Sequence, residues 1–149
     1  MPFERAFQVS WAHLDANAHM ANTAYLNVCV DVRMMYFDSQ GFAAAEFARR
    51  RIGPVVRRDE VDYFKELGLL QSIRVTFTLA GISDDASRFR LRNEIYRDDG
   101  KLAARVTSLG GWMDLAARKL VAPPEELASA LRALDKAEDF EVLESSVRK

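Results

Sequence analysis

Cysteine, histidine and surplus charge are scarce in this chain of 149 residues, and each scarcity closes off a class of function. A single cysteine, Cys29, excludes an internal disulfide, and its place in an apolar helical run reads as a small buried hydrophobe, not a nucleophile. A net charge of -1 leaves no basic surplus to hold nucleic acid, so a small-molecule partner is expected. No run approaches the roughly 18 apolar residues that span a bilayer, and the start MPFERAFQVSW lacks the charged and apolar regions of a signal peptide. A soluble cytoplasmic protein without membrane contact is therefore expected. No G-x-S-x-G elbow occurs, which disfavours a Ser-His-Asp hydrolase. With no internal repeat and no linker, residues 1–149 read as one domain.

The only two histidines, His13 and His19, fall within seven residues of one another, with Asp15 and Asn17 between them. Their spacing is not that of a His pair one helical turn apart, so no metal site and no cofactor are expected. Within Trp11–Phe37 this polar loop runs straight into a long apolar helix. Asn27, Asp31, Met34 and Asp38 make a narrow stripe on it, while Tyr25, Leu26, Val28, Cys29, Val30, Val32, Met35, Tyr36 and Phe37 cover a much broader arc. An arc so broad calls for cover by a sheet or a partner subunit as well, and so for a homodimer or homotetramer. Asn22 or Thr23 is expected to cap the helix. The free amides and positive dipole end would then point at Asp15 and His19, a geometry suited to a polarised carbonyl oxygen.

Phe3–Trp11 alternates weakly, as a first strand. Gly41 supplies a left-handed end to the long helix, and a short helix over Ala43–Arg51 follows. After a break at Gly53-Pro54, Val55–Phe64 reads as a strand of mixed pattern. Ile73, Val75, Phe77 and Leu79 alternate with polar residues as in a half-buried strand, and Phe89, Leu91 and Ile95 repeat the pattern. Turns are expected at Gly81–Ser87 and at Asp98–Lys101. Leu102–Leu120 reads as one long strand, with a bulge or close backbone approach at Gly110-Gly111. Pro123-Pro124-Glu125-Glu126 opens a terminal helix, and the tail from Asp139 reads as frayed. Strands following one helix imply an α+β domain, the helix lying on an antiparallel sheet. Arg49, Arg50, Arg51, Arg57 and Arg58 cluster near the Gly53-Pro54 junction, either to meet the phosphates of a nucleotide-like arm or as a solvated face.

Asp15, His19, Asn22 and Tyr25 reproduce the pattern D-x-x-x-H-x-x-N-x-x-Y at the loop-to-helix junction. In this the chain resembles a hot-dog-fold acyl-CoA thioesterase of the 4-hydroxybenzoyl-CoA thioesterase type. His13-Leu14-Asp15 and Tyr25-Leu26 are similar to its long-chain acyl-CoA thioesterase subgroup. The resemblance implies a curved antiparallel sheet wrapped around a long central helix, an assembly of two or more subunits, and hydrolysis of an acyl-CoA thioester. It places Asp15 at the catalytic carboxylate. Ala18 stands where many members have Gly, and His13 replaces the first Asp of their common D-x-D pair.

The residues themselves are compatible with that chemistry. Asp15 can act as general base or attack directly, and the helix amides near Asn22 can polarise the carbonyl. Asp15 also suits a loop-closing Asx turn. His19 either takes part in catalysis, orienting Asp15, or holds the loop. Asn22, Tyr25 and His13 are candidate substrate contacts, with helix capping and core packing the plainer roles of the first two. The rivals are an acyl-CoA binder or sensor, which usually needs an output module, and a hydroxyacyl dehydratase, which uses a His and a carboxylate offered from the helix. Asp31 lies on the polar stripe and does not obviously face His19.

Overall fold

Ile73, Val75, Phe77 and Leu79 make one face of a strand apolar, and in the computed structural model all four are buried beneath a long helix. The structure describes residues 1–147. Its elements run β1 (Phe3–Gln8), α1 (Asn22–Ser39), α2 (Ala44–Arg50), β2 (Ile52–Tyr63), β3 (Ser72–Ser83), β4 (Arg88–Arg97), β5 (Leu102–Asp114), β6 (Lys119–Val121), α3 (Glu125–Arg132) and β7 (Lys136–Leu143), with a 3-10 turn at Trp11–His13. One sheet holds every strand, in the order β1-β3-β4-β5-β2 with all neighbours antiparallel; β6 joins β5 antiparallel and β7 joins β3 parallel. This is the α+β architecture of a curled antiparallel sheet around one long helix, the hot-dog arrangement.

The helix buries Ala24, Tyr25, Val28, Cys29, Val32, Arg33, Tyr36 and Phe37, an i, i+1, i+4, i+5 repeat that lays one face on the sheet. Val30 and Met35 remain 41% and 38% exposed. The sheet thus covers less of the broad apolar arc than the sequence called for. At the far end of α1 the rings of Phe37, Phe77 and Trp112 meet edge to face, with Phe37–Trp112 centroids 6.0 Å apart and Phe37–Phe77 centroids 6.2 Å apart. Such pairs add about 0.5–1.5 kcal/mol each beyond their buried area. Gly41, at φ +85°, ends the helix as expected, and the Phe42 amide donates to the Phe37 carbonyl (2.8 Å).

Four expectations need correction. The helix cap is Ala21, which offers no side-chain oxygen; Asn22 and Thr23 are already inside the helix, because the Ala21 amide is taken by the His13 carbonyl (2.8 Å) and the chain turns helical directly after it. β2 begins before Gly53-Pro54, since Pro54 sits on an edge strand where its missing amide is tolerated. The strand expected over Leu102–Leu120 is two strands, turned at Leu115–Arg118 by Asp114, whose carboxylate accepts from the Ala116 and Ala117 amides (2.9 and 3.0 Å). The tail is not frayed at Asp139. It forms β7, held by Phe140 against the core and by Asp139 and Glu141 on Arg90 and Arg92.

Candidate active site

The loop from Ser10 to Met20 is closed by its own backbone. The Asp15 amide donates to the His19 carbonyl (3.0 Å) and the Ala18 amide to the Asp15 carbonyl (3.1 Å). Ala18 adopts φ +61°, the left-handed conformation that Gly takes without steric cost. Asp15 does form the Asx turn, its Oδ1 accepting from the Asn17 amide (2.8 Å). Among the described residues nothing donates to Oδ2. One carboxylate oxygen therefore shapes the loop and the other is open.

Asp15 lines a cavity of about 490 Å³, which it shares with His19, Asn22 and Tyr25. Four of the five residues singled out in the sequence thus meet. His13 does not join them: its ring turns back, Nδ1 accepting from the Ser10 amide (3.0 Å), and closes the 3-10 turn. Asp31 lies on the exposed side of α1 outside this cavity, so no helix carboxylate is offered to His19 in the way a dehydratase needs.

The second wall is the end of β2 and the loop after it, which the sequence did not point to. The Tyr63 hydroxyl donates to the Asn22 carbonyl (2.9 Å), the Tyr25 hydroxyl to the Lys65 carbonyl (3.3 Å), and the Met20 amide to the Leu67 carbonyl (2.7 Å). Tyr25 and Tyr63 pack edge to face at 5.0 Å. His19 Nε2 lies 3.2 Å from the Glu66 carboxylate. Burial, then the charges at Tyr63, Glu66 and Asp15, raise the Tyr25 pKa, so its hydroxyl stays protonated and acts as a strut between the walls. The only local trace of this wall is a run of aromatic and charged residues, Tyr63-Phe64-Lys65-Glu66, straight after a strand.

At the floor, the N-terminus of α1 opens into the cavity beside Asn22. Among the described residues the backbone amides of Asn22 and Thr23 have no acceptor, as expected of a helix whose cap supplies no oxygen. A polarised oxygen placed beside Asn22 would meet its free amide and the positive end of the dipole. Cys29 offers no competing nucleophile: burial pushes its thiol up to about 12. No trio of His, Cys, Asp or Glu among the described residues is placed to hold a metal ion.

The arginine cluster comes apart. Arg49 and Arg50 both bind Glu46, holding its carboxyl at about 2, and Arg50 also reaches Glu126, while Arg58 pairs with Glu60. Arg57 keeps no such partner among the described residues.

A profile of the thioesterase-like superfamily matches residues 9–131, which include the whole loop, α1 and the second wall. No curated protein matches the chain in sequence. Among solved structures, a Staphylococcus aureus protein in complex with CoA superposes with a TM-score of 0.81 at 22% identity, covering 89% of this chain and 82% of that one. A 1,4-dihydroxy-2-naphthoyl-CoA thioesterase from Synechocystis gives 0.80 at 19% identity, over 90% of this chain and 98% of its own. A DHNA-CoA thioesterase from Staphylococcus aureus gives 0.77 at 18%, over 85% and 86%. At these identities the likeness is one of fold.

Proposed function

The chain belongs to the thioesterase-like superfamily, and from that premise we propose that it hydrolyses an acyl-coenzyme A thioester to the free acid and coenzyme A, with Asp15 as the catalytic carboxylate. The observation that carries the reading is Asp15, with one carboxylate oxygen unengaged, in one cavity with Asn22, the first residue of α1, whose amide has no acceptor among the described residues. The thioester carbonyl oxygen sits at the Asn22 amide and the positive end of α1, which stabilise the negative charge as the carbonyl carbon becomes tetrahedral. Asp15 either takes a proton from water as that water adds, or adds itself and is freed by water in a second step. In both routes the C–S bond breaks as the tetrahedral intermediate collapses and the thiolate leaves with the coenzyme; in the second route this leaves a mixed anhydride on Asp15, which is the species water then opens. His19, steered by Glu66, and the Asn22 side chain border the reacting carbonyl. Coenzyme A as leaving group is supported by the CoA complex and the CoA thioesterases that share the fold.

The reaction needs neither a metal nor another cofactor in this proposal. Thiol release from a panel of acyl-CoA esters tests it: turnover is expected, and is expected to survive chelation by EDTA. No turnover of any ester would refute the enzyme and leave an acyl-CoA binder; turnover lost with stoichiometric zinc would refute the mechanism.

We place the enzyme in the cytoplasm, where a lone unpaired cysteine is ordinary; no helix among the described residues is long and apolar enough to cross a membrane. It acts as a homodimer or homotetramer, which would cover Val30 and Met35 on α1 and the free edge of β2. Light scattering at micromolar concentration is expected to give two or four chain masses. A monomer would contradict this.

A further inference from the structure

On the outer face of the sheet, away from Asp15, three arginines follow one another along β4. Arg90 binds Asp139 and Glu141, and Arg92 binds Asp139. Arg88 differs: its Nε donates to the Ser146 hydroxyl (3.3 Å), and among the described residues no carboxylate pairs with it. Arg57 is in the same state, whereas its neighbour Arg58 is matched to Glu60. The two unmatched arginines line one cavity of about 310 Å³, and no acidic residue lines it.

The backbone builds this cavity. The register of β2 against β5 slips between Val56 and Arg58, so Arg57 is the extra residue of a bulge and its side chain leaves the ladder. Opposite the bulge lie Gly110 and Gly111. A Cβ on Gly110 would stand 2.2 Å from the Val55 carbonyl oxygen, and one on Gly111 would stand 2.7 Å from the Ser87 carbonyl oxygen. Neither position tolerates a side chain, and the floor between the arginines is bare backbone edged by Val55, Leu109 and Leu120. A floor of glycine backbone and apolar side chains, flanked by two guanidinium groups and a hydroxyl, suits a base carrying phosphate: the base lies on the floor and the arginines fork onto phosphate oxygens.

We infer that Arg57 and Arg88, across the Gly110-Gly111 floor, form the subsite for the phosphorylated nucleotide arm of the coenzyme A thioester. The inference rests on the thioesterase reading for the identity of that arm, while the site itself is defined by phosphate and base. Of the five clustered arginines, only Arg57 is taken into this cavity; Arg88, from a different strand, supplies the second charge.

Calorimetric titration of the full chain with adenosine 3′,5′-bisphosphate, and separately with inorganic phosphate, tests it in the wild type and in an Arg57→Gln/Arg88→Gln double variant. The bisphosphate is expected to bind the wild type, and to bind the double variant at least about tenfold more weakly, the order for losing charge-assisted hydrogen bonds. KM for acyl-CoA should rise by a similar factor with kcat kept, while the same acyl group on N-acetylcysteamine should be turned over equally by both proteins. Arg49→Gln, which touches only the Glu46 pairing, should change none of these. Equal bisphosphate affinity in wild type and double variant would overturn the subsite, and so would inorganic phosphate binding as tightly as the bisphosphate. Should the wild type turn over neither thioester, the thioesterase reading falls and the bisphosphate titration alone decides the subsite.

Discussion

Asp15→Asn is expected to lower kcat for acyl-CoA hydrolysis by roughly 10²- to 10⁴-fold, the contribution of a positioned general base, with KM and assembly near those of the wild type. The loop makes this substitution unusually clean. The structural duty of Asp15 falls on Oδ1, which accepts from the Asn17 amide, and asparagine keeps an oxygen for that bond. Its amide nitrogen replaces Oδ2, the atom to which nothing in the loop donates. It can neither take a proton from water nor attack a carbonyl carbon. A loss confined to kcat therefore reads the open oxygen alone, while a loss of folding or a large change in KM would read the Asx turn. A folded variant of native size that works within about threefold of the wild type, far inside the general-base effect, would remove Asp15 from the mechanism.

The sequence made legible whatever is encoded locally. Asp15, His19 and Asn22 lie within eight residues on a loop and the helix it opens, so their meeting follows from chain continuity. The strand with Ile73, Val75, Phe77 and Leu79 announces itself because an antiparallel sheet with one buried face writes a period of two. Tyr63 and Glu66 lay beyond reach for the opposite reason: their bonds to Asn22 and His19 depend on which strand end folds over which loop, and no local pattern carries that. β7 was hidden because it is an edge strand in which half the residues are charged. Its Asp139 and Glu141 reach Arg90 and Arg92 on β4, the strand beyond β3, so a stretch that looks solvated by itself is held by partners far along the chain. Asn22 misled in another way. It is a good capping residue type, but capping depends on where the chain turns helical, and the His13 carbonyl sets that point one residue earlier.

Arg33 is the case with the largest consequence for stability. It sits on the buried face of α1, only 5% exposed, among positions that otherwise hold Val28, Cys29, Val32, Tyr36 and Phe37. Its Nε donates to Asn93 Oδ1 (2.7 Å) and its Nη2 to Ser108 Oγ (2.9 Å). Asn93 Nδ2 in turn donates to the Thr76 carbonyl (2.9 Å), and the Ser108 hydroxyl donates to the Asp59 carboxylate. Burial lowers the Arg33 pKa, yet a guanidinium stays charged, so a full cation is held in the core with its carboxylate one hydroxyl away. Asn93 and Ser108 occupy inward positions of β4 and β5 where the strand pattern calls for apolar residues, and Arg33 is the reason. Asn93→Leu, which leaves that cation short of an acceptor, is expected to destabilise the fold by about 3–5 kcal/mol, the cost of breaking a buried charged network. Arg33→Met should cost less, about 1–3 kcal/mol, because it removes the charge and strands only neutral partners. The decisive measurement is the double variant, followed by urea unfolding at one fixed protein concentration, since assembly would otherwise shift the midpoint. With cation and acceptor both replaced by apolar side chains, the pair should be more stable than Asn93→Leu alone, a coupling of at least about 1 kcal/mol. Costs that simply add would mean that Arg33 and Asn93 are not energetically joined, and that the polar positions of β4 and β5 have some other cause.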